Sequence, residues 1–380
     1  MIQYGRQSIQ RADIDAVAEA LEADFLTTGP AVAAFEQAVA ERTGSRHAVA
    51  VSSGTAALHA AAFALGLTKG DEVIVPTITF AATAAAVAHV GATPVFADVC
   101  PDTLLLTAEE AERRITPRTR AVFAVDYAGQ PCDYQALRAL CERRGLALLA
   151  DACHSLGATQ RGVPVGSLAD LTVFSFHPVK SITTGEGGMI TTNSPELCER
   201  MRLFRNHGIT RDAFERDRSA TWEYDIDMLG LNYRLTDFQS ALGLSQLQRL
   251  DSFLARRSGI AARYDERFRG SRLVRPVRCV PEAGHAHHLY VVRIPFDEAG
   301  TDRRTVYREM KARGIGTNVH YIPVHLLSYY RKTFGTGPGL CPAAEAAYET
   351  ILSLPIHPSL ADNEVDLVAG TLLNLLGEQP

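Results

Sequence analysis

No run of apolar residues approaches the roughly 18 positions that suggest a membrane span, and the opening MIQYGRQSIQRADID turns polar at its third residue. Neither a signal peptide nor an inserted segment is expected from it. A surplus of one charge is also lacking: 38 Lys and Arg against 43 Asp and Glu give a formal net charge of -5. Nothing there would neutralise a nucleic-acid backbone or an anionic membrane surface. The seven cysteines (Cys100, Cys132, Cys141, Cys153, Cys198, Cys279, Cys341) are odd in number and contain no CxxC pair, which argues against both a disulfide framework and a thiolate zinc site. Together these absences predict a reduced, cytoplasmic chain without nucleic-acid or membrane partners. Repeats, low-complexity tracts and Pro/Gly/Ser linkers are missing too, so a domain boundary must fall between ordinary elements.

What is present is a chain of 380 residues, 46% hydrophobic and 21% charged, long enough for two globular domains. From residue 48 to about 192, short apolar runs at 49–51, 73–75, 94–97, 122–125, 146–150 and 172–176 alternate with helix-like stretches at 56–65, 81–89 and 134–144. That alternation predicts an α/β fold with a mostly parallel central sheet flanked by helices. Beyond residue 235, Phe238, Leu242, Leu247, Leu250 and Leu254 recur at helical spacing, which predicts one long amphipathic helix. A strand at 289–294, helices at 303–313 and 363–375 and an extended piece at 318–322 complete a smaller α+β unit. The boundary is placed at 250, with a large domain over 1–250 and a small one over 251–380.

Three local patterns could carry chemistry. Ser52-Ser53-Gly54-Thr55 joins a strand to an Ala-rich helix, where free N–H groups and the helix dipole favour an anion; by itself the same turn serves equally as a helix cap. Asp151 closes the apolar run at 146–150 and His154 follows it, at a strand's carboxyl end where doubly wound sheets hold ligands, though such an Asp also serves as a cap. Lys180 lies in the segment 174–188, dense in Ser, Thr and Gly; it is a Schiff-base candidate if burial deprotonates it and an ordinary surface lysine otherwise. Taken together, an anion-binding turn, an acid about thirty residues before a lysine and Ser175 five before it meet the separate needs of pyridoxal 5′-phosphate.

The chain resembles the DegT-type family of nucleotide-sugar aminotransferases, pyridoxal-phosphate enzymes of fold type I, in segments spread from end to end. They are YGRQSI (4–9), DFLTTGP (24–30), SSGTAAL (52–58), PTITFAAT (76–83), DACHSLGA (151–158), SFHPVKSITTGEGG (175–188), GLNYRLTDFQSALGLSQL (230–247) and HYIPVH (320–325). Within the family, YGRQSI and HPVKSITTGEGG are most similar to members that make UDP-4-amino-4,6-dideoxy-N-acetyl-β-L-altrosamine, a pseudaminic acid precursor. The resemblance implies Lys180 as the cofactor-bound lysine and proton carrier, Asp151 as partner of the pyridine nitrogen and His154 as a neighbour of the ring or its 3-hydroxyl. It implies Gly54, Thr55 and Ser175 at the phosphate, Phe80 stacked on the ring, and Asn232 reaching the phosphate of a neighbouring subunit in a homodimer with shared sites. Tyr4, Arg6, Thr28, His320, Tyr321 and His325 fall in segments that line the substrate cleft.

The implied reaction moves an amino group from L-glutamate to C4 of a 4-keto-6-deoxy nucleotide sugar, namely UDP-4-keto-6-deoxy-N-acetyl-L-altrosamine. The same chemistry on another keto sugar nucleotide, of the GDP-perosamine type, stays open. A pyridoxal-phosphate lyase or desulfurase would need a catalytic cysteine on a loop, whereas Cys153 adjoins Asp151. A non-catalytic cofactor-binding regulator would have lost Lys180. His285, His287 and His288 invite a zinc reading, but no Cys or carboxylate completes a ligand set, and no metal is expected.

Overall fold

A computed structural model describes residues 1–210 and 220–378; the final two residues of the expected small domain lie outside them. Helices α1 (Arg11–Glu22) and α2 (Pro30–Thr43) precede an alternating series: β1 (His47–Val51), α3 (Gly54–Ala64), β2 (Glu72–Pro76), α4 (Ala81–His89), β3 (Thr93–Ala97), α5 (Ala108–Glu112), β4 (Thr119–Val125), α6 (Tyr134–Arg144) and β5 (Ala147–Asp151). A short hairpin, β6 (Thr159–Gln160) and β7 (Val163–Pro164), leads to β8 (Leu171–Ser175), β9 (Gly188–Thr192) and α7 (Pro195–Arg205).

Seven of these strands form one sheet in the order β1-β9-β8-β5-β4-β2-β3. Pairings β2/β3, β2/β4, β4/β5 and β5/β8 are parallel, and β9 runs antiparallel to both β1 and β8. The α/β architecture with a mostly parallel central sheet is therefore present. Every residue of β2 is buried, as expected of a strand covered on both faces. Ala56, Ala57, Ala60 and Ala61 of α3 and Ala82, Ala84 and Ala86 of α4 are buried in the same cluster; side chains this small let the two helices lie close to the sheet.

The long helix expected after residue 235 is two helices, α8 (Asp237–Leu247) and α9 (Leu250–Phe268). The chain leaves helical geometry at Arg249, with φ -105° and ψ 4°. Its guanidinium pairs with the buried Asp13, whose carboxylate also accepts from Ser245 Oγ at 2.7 Å and Gln246 Nε2 at 2.9 Å. The apolar spacing runs across this break, so periodicity alone joins the two helices, although α8 buries Asp237, Ser240, Gly243 and Gln246 and leaves Phe238, Leu242 and Leu247 partly open.

After α9 come β10 (Arg275–Pro276), β11 (Ala283–Gly284), β12 (Tyr290–Arg293), α10 (Arg303–Ala312), α11 (Ser328–Phe334), α12 (Pro342–Thr350), β13 (Ile351–Leu354) and α13 (Asp362–Leu375). A second apolar cluster forms here from Ile260, Tyr264, Val292, Met310, Leu352, Val368 and Leu372, with Ile2 from the chain's start packed against it. Ile2 bridges Ile315, and Tyr4 accepts a backbone bond from Ile356 at 3.0 Å. Among the described residues no helix is long and apolar enough to cross a membrane.

Candidate active site

The carboxyl ends of β1, β2, β4, β5 and β8 open into one cavity of about 640 Å³, the place where open parallel sheets hold ligands. It brings together Tyr4, Gly54, Thr55, Phe80, Asp151, His154, Ser175, Lys180, His320 and Tyr321, from segments up to 317 positions apart (4 to 321).

One wall is an anion cradle. Ser53 caps α3, accepting from Ala56 N–H at 3.0 Å, which leaves the N–H groups of Gly54 and Thr55 in the first turn with no preceding carbonyl in reach. A Cβ on Gly54 would sit 2.9 Å from Ser175 Cβ and 3.3 Å from Cys153 Sγ, so only glycine lets the helix end and the Ser175 hydroxyl converge. Backbone donors, two hydroxyls and the helix dipole then face the same volume, as a phosphate requires.

Opposite the cradle, β5 delivers Asp151, which is 6% exposed. Its Oδ2 accepts from the Thr83 hydroxyl at 2.7 Å and its Oδ1 from Cys153 N–H at 3.3 Å. The Thr83 hydroxyl is 2.7 Å from that of Thr79, in the bend that precedes α4; with Thr83 donating to the carboxylate, Thr79 donates to Thr83. Asp151 is thereby held in one orientation, with an oxygen engaged on each side.

Lys180 follows the turn after β8 and lies half-buried at the cavity floor. Enclosure lowers its ammonium below the ordinary lysine value, while Cys153 and Asp151 act in the opposite sense. Burial, and secondarily the Lys180 charge, pushes His154 well below the usual imidazole range, and the same two causes bring His320 down to about 4. Both rings are neutral neighbours of the lysine. His154 Nε2 meets the Tyr321 hydroxyl at 3.1 Å, His320 Nδ1 meets Ser353 Oγ at 2.8 Å, and His154 Nδ1 is buried without a partner. Phe80, at the start of α4, is 61% exposed, with its ring 6.2 Å from Tyr321; a large aromatic left open over a polar cavity is a platform for a flat ring. The cradle, the orphaned imidazole nitrogen, the oriented carboxylate, the amine and the platform fit pyridoxal 5′-phosphate.

Four expected site residues lie elsewhere. His325 is fully buried away from the cavity, between Thr77 Oγ1 at 2.6 Å and Glu345 Oε1 at 3.0 Å. Arg6 lines a small pocket behind Lys180 with Pro178 and Gln246. Thr28 sits exposed at φ 59°, and Asn232 is exposed and bridged to Asn206. Ser53 of the expected anion turn lines the cavity too; conversely, Cys153, Glu186, His288 and Asn318 line it and Thr83 orients Asp151 without having been singled out for these places. Thr83 and Glu186 fell inside recognised segments, but only the folded geometry shows what they face.

Comparison with known proteins bears on this arrangement. The profile of the DegT/DnrJ/EryC1/StrS aminotransferase family matches residues 7–373. The spore coat polysaccharide biosynthesis protein SpsC of Bacillus subtilis is 42% identical over 367 residues, spanning 96% of this chain and 94% of its own. Spr1654 of Streptococcus pneumoniae, in its PMP-form, superposes with a TM-score of 0.93 at 34% identity, covering 99% of each chain, and has also been solved in a PLP-form. Helicobacter pylori PseC, an aminotransferase involved in the biosynthesis of pseudoaminic acid, gives a TM-score of 0.92 at 33% identity, again over 99% of each chain.

Proposed function

The chain belongs to the DegT/DnrJ/EryC1/StrS aminotransferase family, and from that premise we propose that it transfers an amino group from L-glutamate to C4 of a 4-keto-6-deoxy nucleotide sugar, namely UDP-4-keto-6-deoxy-N-acetyl-L-altrosamine. That it is a sugar aminotransferase dependent on pyridoxal phosphate follows from the family and its solved members. The observation that carries the reading is the convergence of Lys180, Asp151 and the Gly54–Thr55 helix end on one cavity.

When bound, the cofactor supplies an electrophilic carbon and an electron-withdrawing ring. The protein's residues do the rest. Gly54, Thr55 and Ser175 would hold the phosphate, Phe80 would offer the ring a platform, and Asp151, oriented by Thr83, would keep a proton on the ring nitrogen. Lys180 Nζ would take the proton from the α-carbon of glutamate and deliver one to C4 of the sugar, a role that its lowered basicity favours. Tyr4, His320 and Tyr321 wall the sugar side of the cavity and keep water out.

The altrosamine substrate is supported by the likeness to PseC. SpsC, whose name speaks only of spore coat polysaccharide biosynthesis, is 42% identical, and that likeness keeps another keto sugar nucleotide as the second reading. The deciding experiment follows the visible absorbance of the holoenzyme on adding L-glutamate, for wild type and Lys180→Ala, then mass analysis after supplying the altrosamine ketone or a GDP-linked 4-keto sugar. A spectral change in wild type alone with amination of the first supports the proposal. Amination of only the second sinks the proposed sugar, and no response to glutamate sinks the aminotransferase assignment.

The working unit is a homodimer with shared sites. Trp222, Ile226, Leu229 and Leu231, in the segment that leads to Asn232, and Leu26 are large apolar side chains left exposed, which suits a surface covered by a second subunit. From this segment Asn232 would reach the cradle of that subunit. All seven cysteines are free, which suits a cytoplasmic enzyme.

A further inference from the structure

The imidazole of His288 lines the same cavity as Lys180 and is 5% exposed. Its ring centroid lies 4.3 Å from that of His154, with the planes 40° apart. The Nδ1 atoms of both rings are buried without a hydrogen-bond partner, so packing holds the pair together. Like His154, His288 is driven well below the usual imidazole range, first by burial and then by His154 and Lys180; two neutral rings can stack where two cations would repel.

The backbone around His288 is tightly fixed. Gly129, at φ 100°, is the point where three segments meet: a Cβ there would lie 2.8 Å from His154 O, 3.0 Å from His288 N and 3.2 Å from His287 N. Ala286 N–H donates to Gly129 O at 2.9 Å and Leu289 N–H to Ala128 O at 3.1 Å. Arg257, fully buried, sends Nη1 to the carbonyls of His287, His288 and Ile356 at 3.2, 3.3 and 3.1 Å. Between these anchors His287 adopts φ 45°, a conformation that a non-glycine residue keeps only where its surroundings enforce it.

We propose that His288 is a positioning residue for the amino transfer, acting through His154, whose ring it holds in place against the cofactor. This rests on the pyridoxal-phosphate reading of the cavity. Hydrogen bonds restrain His154 only at Nε2, and the roughly parallel Tyr321 ring stands off at 6.2 Å, so rotation of the imidazole about that contact is checked chiefly by a nearer ring neighbour. His288 supplies that neighbour, and Arg257 and Gly129 fix the peptide that carries it.

The test is a titration of apoprotein with pyridoxal phosphate, read by visible absorbance and circular dichroism, on wild type, His288→Ala, His288→Phe, His154→Ala and the double alanine variant, with melting temperature as a check on folding. His288→Ala is expected to weaken cofactor binding about tenfold, in the range of coupled neighbours, and to change the dichroism of the bound cofactor. His288→Phe, which keeps a ring face, recovers most of both. In the His154→Ala background, His288→Ala adds less than about twofold. The proposal is overturned if His288→Ala binds and reads like wild type, if the two alanine effects add, or if Phe fails to rescue while folding is retained. Failure of wild type to take up pyridoxal phosphate would instead overturn the cofactor reading itself.

Discussion

The hydroxyl of Thr83 donates to Oδ2 of Asp151 across 2.7 Å, joining the first turn of α4 to the end of β5. The carboxylate that faces the cavity is thus aimed by a residue on a neighbouring element. Thr83→Val, which keeps the shape and removes the donor, is expected to lower kcat/KM by about tenfold or more, matching the ~1.5–3 kcal/mol of a hydrogen bond to a charged group. Steady-state kinetics with saturating pyridoxal phosphate check it; an unchanged kcat/KM would show that Asp151 needs no such support.

Gly54→Ala forces a Cβ to 2.9 Å from that of Ser175, an overpacking worth about 1–3 kcal/mol. Affinity for pyridoxal phosphate should fall far more than affinity for unphosphorylated pyridoxal, because the anion cradle is what closes. Gly259→Ala is the contrast: that glycine lies inside α9 with open space around it, and the substitution should raise stability by ~0.5–1 kcal/mol. Differential scanning calorimetry and cofactor titration separate the two.

Acid should destabilise the apoprotein well above the carboxylate range. His287, His320 and His357 are held at about 4, and His154, His285 and His288 lie well below their ordinary value. Between about pH 6.5 and 4 the unfolded chain takes up protons that the folded chain refuses, so stability falls as pH falls through that window. Asp126, raised to about 7 by burial, works the other way as one group against six. Denaturant unfolding from pH 7 to 4 should show the loss, and His357→Gln should make the slope shallower by about one proton.

Leu229, three positions before Asn232, is 89% exposed. Leu229→Asp is expected to convert a dimer to monomers on light scattering and to abolish transamination, while Asn232→Ala keeps the dimer and loosens the cofactor. A wild type that runs as a monomer with full activity would remove the shared-site arrangement.

How far these features could be read beforehand depended on how local their causes are. The apolar centre of β2 at 73–75 and the run ending at Asp151 announce themselves because a strand covered on both faces is apolar along its middle, and the cradle at Ser53–Thr55 because a helix start has its own chemistry. The break at Arg249 was hidden, since the group that holds it, Asp13, lies 236 positions away. His325 falls in a recognised segment, yet its partners Thr77 and Glu345 come from either side of it in the chain. Thr83 was hidden for the same reason, because an exposed-looking threonine on a helix gains its role only when β5 brings a carboxylate beside it.

The anchoring of Ile2 to Ile315 and of Tyr4 to Ile356 has a temporal side. A ribosome releases Tyr4 some 350 residues before its backbone partner. Until then the wall that Tyr4 contributes has nothing to rest on, whereas Gly54, Asp151 and Lys180 have all emerged in the first half of the chain. The nascent protein therefore possesses its cradle and its amine before it possesses an enclosure, and competence to bind cofactor can precede competence to shelter a substrate.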